Sequence, residues 1–389
     1  MKFNIKLVCF LFSTCCLTSC EKNKENLDGV TSSFAIDLNE ANKVGYSTLF
    51  ENTEYVLLKP KNNQYIVSPE KIIKHKDKIY ISTRDYNIFI YDLKGEFLNV
   101  IDAPGEGPGG IRKIDDSHIT ENQIIIKDGY LKKYLFYDLN GAFIKEKRDV
   151  FPTANFYFGG DFKLLYPHND PEFGDFRVFK INKDNSVTGV IDLGKYLKPS
   201  VYVQDGFQNV PNSDEIFMGL PLTFNILYFN KEGDLTQNIQ LDLGENQVSA
   251  KERAKFSTMQ EEFQFLSSNN YIDSFTRVFP ISTKNFMFVV NTGKKYPNIV
   301  IGSRDGMVLF NSDAFIDDVN NLQKATIPWT FSEGKVISWN RMKVLYDDYE
   351  TNSSGNKDAK LQLLFNENPN YLEGEDIVLM LSDIKREFL

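Results

Sequence analysis

Short runs of apolar residues along this chain are cut at regular intervals by tight polar turns, and one unit recurs. It is an apolar strand, a turn of the form Asp/Asn-x-x-Gly, and a second strand. The unit stands at residues 88–97 (IFIYDLKGEF), 135–143 (LFYDLNGAF) and 227–235 (LYFNKEGDL). A further copy lies at 299–308, and a degraded one at 178–185 has Asn185 in place of glycine. The chemistry is that of a hairpin: Asp or Asn caps its own turn, and Gly takes the positive φ that the turn requires. Upstream of each unit the pattern predicts another strand, at 78–81, 123–126, 162–165, 215–218 and 285–288, with a sixth at 335–338.

Six strand-rich repeats spaced by roughly 40–50 residues predict an all-β fold, a six-bladed β-propeller. The runner-up is a pair of β-sandwiches, which alternating strands alone would also satisfy. The early strand at 54–58 and the late one at 376–381 are the expected partners for closing the ring in one blade. One interval, from Ile216 to Phe286, is too long for a blade. Its excess is helical in composition, and a helical insertion is expected near residues 248–268, with Phe256, Met259, Phe263 and Leu266 as one apolar stripe lying on the propeller face. A shorter helix is expected over 313–323, with Phe315, Val319 and Leu322 on one side.

The N-terminus follows a different rule. Lys2 and Lys6 precede an apolar run from Leu7 to Leu17, long enough for a signal peptide and too short to cross a bilayer. Leu17-Thr18-Ser19-Cys20 then forms a lipobox. It implies cleavage before Cys20, lipidation of that cysteine and a membrane attachment through the lipid. The expected organisation is a signal peptide over 1–19, a polar flexible tether over 20–33 and the propeller over 34–389. The expected location is the cell envelope, anchored by lipid at the outer membrane.

Cysteines occur only at 9, 15, 16 and 20, so cleavage leaves one. That rules out a disulfide within the mature chain, a CxxC metal site and a thiol active site. Core burial must hold the fold together. The full chain carries 44 Lys and Arg against 53 Asp and Glu, a net charge of −9, and loss of Lys2 and Lys6 takes it to −11. With no basic stripe, nucleic acid is not an expected partner.

The lipobox, the blade count and the segment 101–111 (IDAPGEGPGGI) together resemble the six-bladed β-propeller lipoproteins of Bacteroidetes. In that family the first hairpin runs into a Gly-x-Gly-Pro-Gly-Glu-Tyr turn. Gly105, Gly107, Pro108 and Gly109 match it, while Gly110 and Ile111 replace Glu-Tyr. The C-terminal strand ending at 378–381 is also similar, with Glu375-Asp376 where Asn-Pro is common. The resemblance implies a fold and a location rather than a reaction. The same glycine-rich segment lacks the Gly-Lys-Ser/Thr ending of a phosphate loop, so it reads as a structural turn.

Catalytic signatures are sparse. His75, His118 and His168 are the only histidines, and none stands in a metal-ligand spacing. There is no Gly-x-Ser-x-Gly elbow and no linear calcium loop. No catalytic, metal or cofactor residue is assigned. A Ca²⁺ held on the central axis by carboxylates from different blades would leave no linear motif. The stretch 166–175 groups His168 with Asp170, Glu172 and Asp175 and reads as a solvated loop, or alternatively as a binding rim. Tyr202, Trp329 and Trp339 are candidate sugar-stacking platforms, with core packing the default for each.

The reading favoured is a lipid-anchored binding module for a glycan, a peptide or an envelope protein, without catalysis. The alternative is a metal-dependent hydrolase or lyase with its site in the central channel. A third is an accessory subunit of an outer-membrane uptake system.

Overall fold

The computed structural model describes residues 30–389 apart from 62–63, 150, 152, 168–175, 193–204, 221–222, 254, 270, 273, 293–295, 314–315, 321, 324–325 and 353–358. Two N-terminal strands come first, β1 (Ser32–Ala35) and β2 (Phe50–Leu57), separated by a one-turn helix α1 (Tyr46–Leu49). Five four-stranded meanders follow. They are β3–β6 (Pro69–His75, Lys78–Thr83, Ile88–Asp92, Phe97–Ile101), β7–β10 (Asp116–Ile119, Gln123–Asp128, Lys133–Asp138, Phe143–Arg148) and β11–β14 (Thr153–Phe158, Phe162–Pro167, Phe176–Asn182, Val187–Asp192). Next are β15–β18 (Gln208–Asn209, Ile216–Leu220, Asn225–Phe229, Leu235–Asp242) and β19–β22 (Arg277–Pro280, Asn285–Val290, Asn298–Ser303, Val308–Ser312). The last blade is built from β23 (Pro328–Ser332), β24 (Lys335–Arg341), β25 (Ile377–Ile384) and, at its outer edge, β2. Six separate sheets make a six-bladed β-propeller and not a sandwich.

The recurring hairpins form as their turn residues dictate. Asp92 Oδ1 accepts from the N–H groups of Lys94 and Glu96, at 2.8 and 2.9 Å, while Gly95 sits at φ 81°. Asp138 and Asn230 repeat this on Asn140/Ala142 and Glu232/Asp234. Asn185, the substitute for glycine, also adopts a positive φ of 64°. The hydrophobic core is divided among the joints between blades. At the fourth joint, for example, Phe217, Phe224 and Tyr228 pack on Val278, Phe286 and Phe288.

The ring closes as the pattern predicts: β2 pairs antiparallel with β25, placing Val56 opposite Leu379. The closure is wider than one blade. β1 adds to β18 as a parallel fifth strand, Asn42 bridges to Ser312 on β22, and Gly45 bridges to Ile316. Residues 31–57 therefore form a belt across the outer edges of blades 4, 5 and 6.

The two faces differ sharply. Every connection after the first or third strand of a meander is a turn of six residues or fewer, and these turns share one face. The long connections 102–115, 243–276 and 342–376 lie on the other. The helical insertion is present there, as two helices, α2 (Ala250–Arg253) and α3 (Met259–Ser268), instead of one. Thr258 caps α3 through a capping box with Glu261, which explains the break. The expected stripe is also shifted: Phe263 is exposed, while Phe265 packs between Phe256 and Tyr271. The described residues of 313–323, which exclude Phe315, form no helix where one was expected. Asp317 accepts from the N–H groups of Val319 and Asn320 and turns the chain back into a bridge with Leu322. Two further helices, α4 (Met342–Asn352) and α5 (Ala359–Glu367), interrupt the last blade between β24 and β25 and bury Leu345, Tyr349, Leu361 and Phe365.

The candidate binding channel

Six innermost strands, β3, β7, β11, β15, β19 and β23, surround a central cavity of about 1300 Å³. Its walls carry aromatic rings (Tyr157, Phe207, Trp329), amides (Gln208, Asn209, Asn212) and the carboxyl groups of Glu70, Asp205 and Asp214. Short side-chain contacts stitch neighbouring blades together around it. Lys71 of blade 1 places Nζ 2.9 Å from Asp116 Oδ1 of blade 2 and donates to the Ser117 carbonyl at 2.7 Å. The other Asp116 oxygen accepts from the N–H of Phe156, on blade 3, at 3.3 Å and lies 3.5 Å from His118 Nε2.

The opposite half repeats the arrangement with different residues. Asp205, leading into blade 4, accepts from the Val278 N–H at 3.0 Å and faces Arg277 Nη1 at 3.4 Å. The Arg277 guanidinium, on blade 5, lies 3.3 Å from the ring centre of Trp329 on blade 6. Two further contacts complete the circle. Tyr157 donates to Asn209 at 2.9 Å between blades 3 and 4, and Lys74 donates to Glu333 at 2.6 Å between blades 1 and 6.

These surroundings set the charge states. Burial opposes ionisation of Asp116, but the Lys71 ammonium and His118 outweigh it and hold the carboxyl well below the usual range. For Asp205 burial wins over Arg277 and pushes the carboxyl up. Glu70 is also pushed up by burial. Burial, helped by the Lys71 charge, pushes the His118 imidazole down. Hence the folded His118 refuses a proton that the unfolded chain accepts near pH 6.5, and stability falls as pH drops through that value. Replacing His118 by phenylalanine, which suits its place between Phe156 and Tyr157, is expected to flatten this loss. Urea midpoints between about pH 7.5 and about pH 5.5 check it; equal losses in both proteins would refute the assignment.

The structure distributes the residues singled out from sequence unevenly. Cys20, His168, Asp170, Glu172, Asp175 and Tyr202 lie outside the described residues. Gly105, Gly107, Pro108 and Gly109 sit in the loop joining blades 1 and 2, away from the cavity lining. There the Gly105 N–H donates to Ile111, the Gly107 carbonyl accepts from Lys133, and the Gly109 N–H donates to Glu146, which pairs with Lys133 at 2.9 Å. The motif is a strapped turn. A Cβ at Gly110 would come 2.7 Å from the Gly105 carbonyl oxygen, so this version of the turn requires glycine there.

Trp329 does line the cavity, whereas Trp339 packs edge-on against it, 5.4 Å between centroids. Lys71, Asp116, Asp205 and Arg277 were not singled out. One signal for them existed: Lys71 and Asp116 stand 45 positions apart, one repeat. Among the described residues no three His, Cys, Asp or Glu gather as a metal site. Among them, too, no helix is long and apolar enough to cross a membrane.

Solved structures share the architecture. A Bacteroides fragilis NCTC 9343 protein described as exported is 15% identical with a TM-score of 0.66, over 91% of this chain and 99% of that one. A member of the DUF4221 family from Bacteroides vulgatus ATCC 8482 is 10% identical with a TM-score of 0.52, over 87% and 98%. At such identities the likeness is one of fold. No curated protein matches the chain. The profile of a domain of unknown function, DUF4934, matches residues 33–371, and the chain belongs to that family.

Proposed function

We propose that this chain is an exported binding protein of the cell envelope, attached to the outer membrane through a lipid on Cys20, and that its central channel holds a segment of glycan. The observation that carries the reading is the lining of the cavity. Aromatic rings, side-chain amides and carboxyl groups converge on about 1300 Å³, a mixture that stacks on sugar rings and hydrogen-bonds their hydroxyls. The acids Asp116 and Asp205 are each engaged by a cation, which suits a rigid binding wall better than a reacting centre. Export is supported by the lipobox and by the Bacteroides fragilis neighbour.

Tyr157 is the most informative probe, because Trp329 also carries Arg277. On an array of bacterial and host polysaccharides the protein is expected to retain a defined glycan. Tyr157→Ala is expected to weaken that binding by about 2 kcal/mol, roughly thirty-fold in Kd. A protein that retains no glycan, or a variant that binds as tightly as the parent, would sink this reading.

A further inference from the structure

The direction of β1 sets the face of the propeller from which the preceding chain arrives. β1 runs parallel to β18, with Ser32 beside Ile239 and Ala35 beside Asp242. β18 itself starts from the tight turn at 230–234, so it runs from the turn face toward the loop face. The chain before Thr31 therefore enters from the turn face, at the outer edge of blade 4. The cavity reaches that same face: its lining includes Gly159, Asn212, Lys231, Ser282 and Gly334, all in tight turns.

We propose that the anchored protein stands with its turn face toward the bilayer and its loop face, with the helices α2–α5, pointing away. This rests on the lipidation of Cys20 in the reading above. Residues 20–30 span at most about 40 Å, and reaching the loop face would use most of that length along the side of the propeller, whereas the turn face lies at the tether's own exit. The rim is polar, with Lys231 and Asn212 beside glycine and serine, so it faces a wet headgroup layer and does not insert.

The acylated sulfur of Cys20 leaves the mature chain without a free thiol, so an added cysteine can be labelled uniquely. Lys231→Cys and Glu121→Cys place a fluorophore on the turn face; Tyr130→Cys and Leu363→Cys place one on the loop face, all at exposed side chains. The full lipoprotein is reconstituted into phosphatidylcholine vesicles containing a headgroup nitroxide lipid. Both turn-face labels are expected to be quenched several-fold more than both loop-face labels. Vesicle-bound protein with equal or reversed quenching overturns the orientation and leaves the anchor standing. Protein that fails to float with vesicles, as Cys20→Ala is expected to, overturns the anchor and the orientation with it.

Discussion

Asp149→Ala is expected to destabilise the protein by about 3–5 kcal/mol, far more than its position at the end of an edge strand suggests. Its carboxylate accepts from Lys127 Nζ at 2.8 Å, and the Lys127 side chain has no solvent exposure. That ammonium also donates to the Phe151 carbonyl and lies 4.3 Å from the Tyr134 ring centre, at the joint between blades 2 and 3. Burial already pushes the Lys127 pKa down, with Asp149 opposing it. Without the carboxylate the buried charge loses its main compensation, and the lysine must give up its proton or the joint must open. Lys127→Met combined with Asp149→Leu removes both charges and is expected to recover most of the loss. Urea unfolding of the two variants decides the matter. A cost below about 1 kcal/mol for Asp149→Ala, the scale of an exposed pair, would show that the joint admits water.

The second large effect is expected at Phe286, which is fully buried on β20. Its ring centre lies 6.5 Å from those of Phe34 and Phe217 and 6.3 Å from that of Phe288. It thus joins blade 4, blade 5 and the belt strand β1. Gly302 leaves space for it: a Cβ there would come 2.8 Å from Phe286 Cζ. Phe286→Ala removes transfer energy and leaves a void that β-sheet neighbours cannot fill, at a cost of about 3–5 kcal/mol. Because Phe34 borders the same void, Phe34→Ala and Phe286→Ala together are expected to cost less than the sum of the two. Strict additivity in the urea midpoints would mean that the belt does not share this core.

Much of the architecture was legible because propeller hairpins are local. Asp92, Asp138 and Asn230 declare their turns within five residues, and the closing pair at 54–58 and 376–381 stood out as strands without a repeat of their own. Helices were harder. Met342, Leu345 and Tyr349, then Leu361, Leu364 and Phe365, are spaced for α4 and α5, but they interrupt a blade between its second and third strands, where a repeat register predicts a short turn. Over 313–323 apolar spacing suggested a helix, and the side chain of Asp317 captured the backbone first.

The channel was least legible. Its lining is drawn from strands and turns far apart in the chain, and Asp205 meets Arg277 across 72 positions. Nothing local marks such a residue as a wall. Trp329 was visible as an aromatic candidate, but its stacking on a buried arginine depends on two blades meeting.

The belt also governs when the molecule can become whole. The Tyr46 and Ser382 hydroxyls bond across 336 positions, and β2 finds no partner until β25 has been made. During synthesis, which runs from the N-terminus, the first strands emerge long before the strand that completes their sheet. Such late, long-range pairing slows folding. The polypeptide stays threadable for almost its whole length, and the ring locks only after the final strand arrives.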